Sequence, residues 1–258
     1  MEDKLRQIAE ILATSTSTVA LTGAGISVDS GIPAFRGSQG LWGKYDPMEY
    51  ASIEAFHRDP ARVWAMLSEL DELVLAAKPN RAHRALMQLE ALGALDIVVT
   101  QNIDGLHQVA GSRAVVEFHG SSRRLTCLGC GQVLGRNELS MDIMPPRCAC
   151  GGLIKPDVVF FGEPIPQRAM LAAMAAAQAC SAMLVVGTSA VVAPASHLPV
   201  LAQSAGAKVI EINLEPTPLT GRVADLSIRA DGCEVLPTLV EMVGRLKELK
   251  APQTGGLA

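Results

Sequence analysis

Two close pairs of cysteines, Cys127-Leu-Gly-Cys130 and Cys148-Ala-Cys150, stand seventeen residues apart. Four thiolates at this spacing suit one tetrahedral zinc ion. The second pair is tighter than the usual CxxC. Gly129, Gly131, Gly151 and Gly152 supply the tight turns that such knuckles need. Four thiolates fill the shell, so no position remains for water or substrate. The expected zinc is structural: it holds together a segment too poor in apolar residues to fold alone. Cys180 and Cys233 stand apart. This clustering fits a metal site in a reducing compartment better than a disulfide framework.

Three other clusters carry chemistry. In Thr100-Gln101-Asn102-Ile103-Asp104-Gly105-Leu106-His107, three hydrogen-bonding side chains fall within four positions after an apolar run. That is a ligand-binding strand end in an open α/β sheet, although Asp104 would equally serve as a helix N-cap. In Glu117-Phe118-His119-Gly120 an imidazole ends another apolar run. His119 is a reasonable general base, whereas His57, His83 and His197 read as structural. In Gly23-Ala24-Gly25-Ile26-Ser27 the glycines let backbone N–H groups approach a pyrophosphate without a Cβ in the way. A tight turn would use the same residues. The dinucleotide fingerprint expects a third glycine where Val28 stands, and an acid roughly 20 residues further on. Asp46 is at about that distance but lies in irregular sequence, so a hydride-transfer dehydrogenase is disfavoured.

The elements that must position these clusters alternate. Helical spacing predicts helices over about 3–13, 60–77, 80–92, 167–179, 194–205 and 235–249. Apolar runs predict strands at Val19–Thr22, Ile97–Thr100, Val115–Phe118, Met183–Val186, Lys208–Ile212 and, more weakly, Leu226–Ile228, with Val158–Phe161 a short extended segment. Such alternation implies an α/β fold, a parallel sheet with helices on both faces. It fails over about 37–78 and 121–152. The first of these opens, over 38–60, with no clean period, and the second reads as irregular. Both read as insertions that together form a smaller lobe, and 251–258 reads as a frayed tail.

The bulk numbers agree. The chain has 258 residues, 49% of them hydrophobic and 19% charged, enough for a sizeable core. The net charge of −4 argues against broad nucleic-acid binding. No apolar run reaches membrane-spanning length, and MEDKLRQIAE lacks the regions of a signal peptide. The expectation is a soluble, cytoplasmic protein.

In this order the clusters resemble the sirtuin family, NAD-dependent protein-lysine deacylases. The resemblance runs from about residue 10 to 250. It rests on GAGISVDSGIPAFRG, TQNIDGLH, the FHG at 118–120, the four cysteines, VVFFGE at 158–163, GTS at 187–189 and INL at 212–214. It implies a Rossmann-like large domain of about 1–36, 79–120 and 153–250. A small domain would comprise the helical insertion 37–78 and the zinc module 121–152. NAD and substrate would lie in the cleft between them.

By the same resemblance the segment after the glycines is a mobile loop over the cofactor, not a helix start. Gly23, Ala24 and Gly25 contact phosphate, Pro33 belongs to the loop, and Phe35 shields the ribose from water while Arg36 lies by phosphate and ribose. Gln101, Asn102, Ile103 and Asp104 form the pocket that holds the nicotinamide carboxamide. Nicotinamide leaves, the acyl oxygen of a modified lysine attacks C1′ to give an alkylimidate, and His119 acts as base on the ribose hydroxyls. The products are free lysine, nicotinamide and 2′-O-acetyl-ADP-ribose. Gly187, Thr188 and Ser189 hold phosphates and adenine ribose; Asn213 and Leu214 meet the adenine ribose, and Cys233 lines the adenine pocket. Ser189 would also cap a helix and Asn213 would also close a turn. Val159, Phe160, Phe161, Gly162 and Glu163 pair with the substrate peptide and wall the acyl-lysine tunnel, where the bare pattern VVFF would read as core strand.

Relatives that prefer succinyl- or malonyl-lysine carry a Tyr-x-x-Arg pair. Aligned on Val63-Trp64, its places hold Leu67 and Leu70 here, and a carboxylate would meet an apolar wall. The expected substrates are acetylated proteins, with tolerance for longer neutral acyl chains. Alternatives are mono-ADP-ribosyl transfer, a non-catalytic NAD sensor, and a nucleic-acid-binding zinc module around Arg123 and Arg124, a thin case on an acidic chain.

Overall fold

The computed structural model describes residues 1–35, 40–138 and 143–250. Arg36 and the tail 251–258 therefore lie outside the described residues.

The chain opens with helix α1 (Glu2–Thr14), which buries Ile8, Ala9 and Leu12 at helical spacing. Strand β1 (Thr18–Thr22) is buried at all five positions, as a strand covered on both faces must be. The backbone then turns at once into a 3-10 helix, Ala24–Ser30, ended by Gly31 at φ 90°. The expectation of a loop without a helix start is corrected here: the glycine turn does close into a helix, though a tight and short one. Residue 31 has a left-handed backbone that glycine adopts without a Cβ penalty.

Three short helices follow, α2 (Leu41–Lys44), α3 (Pro47–Tyr50) and α4 (Ile53–Arg58), and then the longer α5 (Pro60–Ala76). Residues 38–60 showed no period because helices of four to six residues have none to show. Their caps were the readable signal. The side chains of Asp46, Ser52 and Asp59 accept from the backbone N–H of Met48, Ala55 and Arg62, and Pro47 and Pro60 occupy first turns. Helix α6 (Arg81–Ala91) starts from an Asn80 capping box closed by His83. Strand β2 (Ile97–Thr100), helix α7 (Leu106–Ala110) and strand β3 (Val115–Glu117) complete this half.

The cysteine-bearing stretch is more ordered than its composition suggested. Strand β4 (Gly120–Cys127) pairs antiparallel with β5 (Val133–Gly135) and β6 (Ile154–Val158) in a three-stranded sheet. The extended segment expected at Val158–Phe161 is thus displaced: the strand is Ile154–Val158. Beyond it Phe161 makes a single parallel bridge to Ser52. Lys155, Pro156 and Asp157 masked this strand, because they break the apolar run while the ladder bonds hold it.

The remainder alternates as expected: α8 (Gln167–Ala179), β7 (Ala182–Val186), a 3-10 turn Ala195–His197 leading into α9 (Leu198–Ser204), β8 (Lys208–Asn213), β9 (Leu226–Arg229) and α10 (Gly232–Lys250). Six strands form one all-parallel sheet in the order β3-β2-β1-β7-β8-β9. This is the 3-2-1-4-5-6 order of the Rossmann fold, with its switch point between β1 and β7. One face packs Ile8, Leu12, Leu86, Leu89, Leu236 and Leu239. The other packs Val19, Leu21, Met183, Val185, Leu198 and Val209. A third core joins α4 and α5 to the small sheet through Phe56, Trp64, Leu125, Ile154 and Phe160. The Trp64 indole N–H donates to the Ile154 carbonyl at 3.0 Å. Among the described residues no helix is long and apolar enough to cross a membrane.

Candidate functional site

The predicted residues converge where the parallel strands end. Gly23 follows β1 and Gly187 follows β7, and the two backbones touch: Gly25 N–H donates to the Gly187 carbonyl at 2.8 Å. A Cβ on Gly25 would sit 2.7 Å from that oxygen, and one on Gly187 would strike Ile26 N. Gly187 is also left-handed, at φ 59°. The glycines thus allow two strand ends to approach closely, with the N–H groups of Gly23, Gly25 and Gly187 bonded to the carbonyls of Val186, Gly187 and Ile212.

Beside them the loop after β2 buries a polar network. Asn102 and Asp104 are each only 5% exposed. Ser27 is the hub: its hydroxyl donates to Asp104 Oδ2 at 2.8 Å and accepts from Asn102 Nδ2 at 3.1 Å. Asn102 Nδ2 also donates to the Gly23 carbonyl. Asp104 Oδ1 accepts from Leu106 N–H, so the carboxylate serves α7 as well as the network. Burial pushes the Asp104 carboxyl above the usual carboxylate range, against the pull of Leu106 N–H, Ser27 and Arg123. Asn102 Oδ1 is buried without a partner among the described residues. A buried acceptor left open is costly, and a primary carboxamide, which brings two N–H donors, would satisfy it.

Two histidines underlie the network with rings 4.8 Å apart. His83 joins Asn80 Oδ1 and lies 3.5 Å from Ser27 Oγ. His107 Nε2 lies 3.0 Å from Thr22 Oγ1. Burial lowers His83 to about 4; burial and then the neighbouring His83 lower His107 to about 3. Both are neutral packing groups. Sequence reasoning saw His83 as structural, and its place beneath Ser27 shows what it supports. Ser27 and His107 passed unnoticed as members of the site, although GAGIS and TQNIDGLH contain them.

His119 sits between β3 and β4. Its Nδ1 lies 3.0 Å from the Gln101 carbonyl, which can only accept, so Nδ1 carries the proton and Nε2 remains an unprotonated base. Burial pushes the imidazole pKa down, partly offset by that carbonyl. Gln101 Nε2 donates to Thr188 Oγ1 at 3.0 Å, linking the loops after β2 and β7. Val159 N–H donates to the His119 carbonyl at 2.9 Å, fastening the 158–163 segment to the same point. Within that segment Phe160 is buried against Phe56, while Val159 and Phe161 are half-buried. Glu163 accepts from Phe160 N–H and from the buried Lys155 ammonium.

The outlying candidates are looser. Ser189 precedes Ala190, which has φ 52°; the next helical turn begins six residues later, so Ser189 does not cap it. Asn213 ends β8 and donates to the Glu215 carbonyl, closing a local turn, and Leu214 is exposed. Cys233 is buried in the first turn of α10, its thiol pushed up to about 11 mainly by burial, with the Asp231 and Asp29 carboxylates close by. Pro33 and Phe35 are half-buried, and Phe35 stacks on Trp42.

The four clustered cysteines come together as their spacing required. Their sulfurs all lie within 4.8 Å of one another, with Cys127–Cys150 at 3.5 Å and Cys130–Cys148 at 3.8 Å. Gly152 has no room for a Cβ, which would lie 2.8 Å from Cys127 Sγ, and at Gly129 a Cβ would press on Gly152 Cα at 3.2 Å. The amides of Cys130 and Gly129 help pull the Cys127 thiol down to about 6. Four convergent sulfurs with amide donors suit Zn2+ held as tetrathiolate.

Comparison with known proteins gives the family. A relative from Pyrobaculum aerophilum named NAD-dependent protein deacylase 2 is 51% identical, over 92% of this chain and 95% of its own. One of the same name from Archaeoglobus fulgidus is 49% identical, over 97% of this chain and 100% of its own. A solved complex of Sir2 with a p53 peptide and NAD+ superposes with a TM-score of 0.85 at 37% identity, covering 93% of this chain and 99% of that one. Residues 23–194 match the family described as Sir2, and by that match and those identities the chain belongs to the Sir2 family.

Proposed function

We propose that this protein is an NAD-dependent protein-lysine deacetylase, releasing nicotinamide and transferring the acetyl group to ADP-ribose as the 2′-O-acetyl ester. The observation that carries the reading is the pairing of an oriented neutral base, His119, with the buried, part-open Asn102–Asp104 pair at the same strand ends. NAD is the co-substrate that supplies the electrophilic sugar carbon. Gly23, Ala24, Gly25, Gly187 and Thr188 receive its phosphates and Asn213, Leu214 and Cys233 its adenosine. Gln101, Asn102, Ile103 and Asp104 hold the carboxamide, for which Asn102 Oδ1 is an open acceptor. Pro33 and Phe35 cover the sugar. His119 Nε2 takes the proton from the ribose hydroxyl while Nδ1–H stays on the Gln101 carbonyl, which fixes the tautomer and the ring.

Val159 and Gly162 carry the backbone on which an acetylated peptide adds as a strand, Phe161 and Glu163, whose own N–H groups are bonded to Ala51 and Phe160, flank it, and Phe160 anchors that segment in the core. Cys127, Cys130, Cys148 and Cys150 hold one zinc, which keeps the small sheet folded. The division into a large parallel-sheet domain and a small domain of two insertions follows from the same reading. So does a cytoplasmic location, where reducing conditions keep these thiols available.

Tolerance for neutral acyl groups longer than acetyl is part of the same proposal. Trp64, Leu67, Leu70, Ile103, Leu125 and Val158 line a small hollow between α5 and the small sheet, and the Arg136–Asp71 ion pair, in which the one cation of the lining is already matched, lines it too. Leu67 and Leu70 thus face the same hollow as Ile103 of the nicotinamide loop. The test is incubation with NAD and a panel of acyl-lysine peptides, with every product identified by mass. Acyl-ADP-ribose is expected for acetyl and longer neutral chains. ADP-ribosylated protein as the main product, or a tenfold preference for succinyl over acetyl, would overturn the reading.

A further inference from the structure

The geometry points to Trp42 as a positioning residue that ties the sugar-covering ring of Phe35 to the peptide-binding segment, so that the acyl oxygen captures the sugar carbon before water does. The inference rests on the function proposed above. Three aromatic rings run in series. Phe35 and Trp42 stack with centroids 5.1 Å apart and planes 24° from parallel. Trp42 then meets Phe161 at 6.3 Å and 56°. One end of the series belongs to the cofactor side and the other to the substrate side, and Trp42 touches both.

Each end is fixed by backbone. At the first, Leu41 N–H donates to the Ala34 carbonyl at 2.8 Å and Trp42 N–H to the Phe35 carbonyl at 3.0 Å, so α2 begins on the residues it positions. At the other, Phe161 N–H donates to the Ala51 carbonyl and Ile53 N–H to the Phe161 carbonyl. The same segment is bonded to His119 through Val159. A displacement of the peptide segment is therefore felt at Trp42 and passed to Phe35 by ring contact. An aromatic pair of this kind changes an equilibrium by roughly 2- to 10-fold.

The consequence is a partition. When the bond between C1′ and nicotinamide breaks, the new C1′–O bond forms either to the acyl oxygen or to water. The first route leads to deacylated lysine. The second gives nicotinamide and ADP-ribose, with one proton released to solvent. Phe35 held over the sugar excludes the water, and Trp42 makes that position depend on an occupied peptide segment.

The experiment measures nicotinamide released per peptide deacylated, with NAD and acetyl-peptide saturating, for wild type, Trp42→Leu, Trp42→Met and Trp42→Phe. A ratio near unity is expected for wild type. Leu and Met should raise it severalfold with free ADP-ribose as the extra product, and Phe should restore it most of the way. A ratio that stays at unity in the folded Leu or Met variant, with only the rate reduced, would mean a structural role and overturn the inference. Equal ratios for Phe and Leu would do the same. A second readout covers a variant that fails to fold. The chain has two tryptophans, so in a Trp64→Phe background the emission reports Trp42 alone and should shift when peptide joins the NAD complex; an unchanged spectrum counts against the coupling. If wild type releases no nicotinamide at all, the functional reading fails and not merely the role of Trp42.

Discussion

The two sheets hold one site by different physics. In the parallel sheet β1 and β7 are buried at every position, and helices cover both faces. Hydrophobic burial suffices there, and the close approach of Gly25 to Gly187 is made between rigid strand ends. In the small sheet β5 is exposed at Val133 and β4 at Arg123 and Arg124, and its core lies on the side of α4 and α5. Four sulfurs gathered within 4.8 Å add to that one-sided core. His119 lies at the junction, after β3 and immediately before β4. The base therefore depends on both kinds of stability, whereas the glycine cradle depends on one.

The predictions probe that difference in order of size. His119→Ala should lower deacetylation by roughly 100- to 10,000-fold while nicotinamide release persists in single-turnover assays. Loss of nicotinamide release to the same extent would place His119 in the first step instead. Zinc removal by a strong chelator, or Cys148→Ser, should unfold the small sheet, since structural zinc contributes on the order of 10 kcal/mol. Proteolysis should then cut within 121–152 while most helical circular dichroism survives. A single cooperative loss of the whole fold would erase the contrast between the sheets.

Gly187→Ala forces a left-handed alanine against Ile26, a strain of about 1–3 kcal/mol. It should raise the KM for NAD and leave the peptide KM unchanged; the reverse pattern would break the assignment of the cradle.

The histidines extend the comparison to pH. His83 and His107 have folded pKa values of about 4 and about 3, below the ordinary 6.5. Below 6.5 the unfolded chain binds the protons, so their contribution is complete above that pH. It is lost progressively as pH falls through 6.5 toward 4 and 3. Urea midpoints should drop between pH 7 and pH 5, and His83→Asn should flatten that dependence. Because His119 is also depressed, deacetylation should hold at pH 6.5 and fail at lower pH. The smallest effect expected is Leu70→Arg, a modest gain toward succinyl peptides read as a ratio of kcat/KM values.

The chain announced its chemistry through local patterns. Cysteine spacing, glycines after an apolar strand and the TQNIDGLH cluster are each legible within a few residues, because turns, caps and metal knuckles are built from neighbours. The alternation of apolar strands with helices similarly foretold a covered parallel sheet. Sequence alone did not reveal the strands at 120–135, where charged residues such as Arg123 and Arg124 hide a ladder held by backbone bonds. It also missed α2 to α4, whose length gives no period.

What the sequence by itself determined, then, is the inventory: four cysteines spaced for zinc, the histidine at a strand end, the polar loop and the strands that carry them. Only the tertiary structure decided which of these meet. The sheet order puts β1 beside β7, so Gly25 can touch Gly187. Ser27 becomes a hub because Asn102 and Asp104 arrive from another strand, and Trp42 finds Phe161 across the groove. Contacts between distant parts of the chain depend on how whole layers pack, and no local pattern encodes that arrangement.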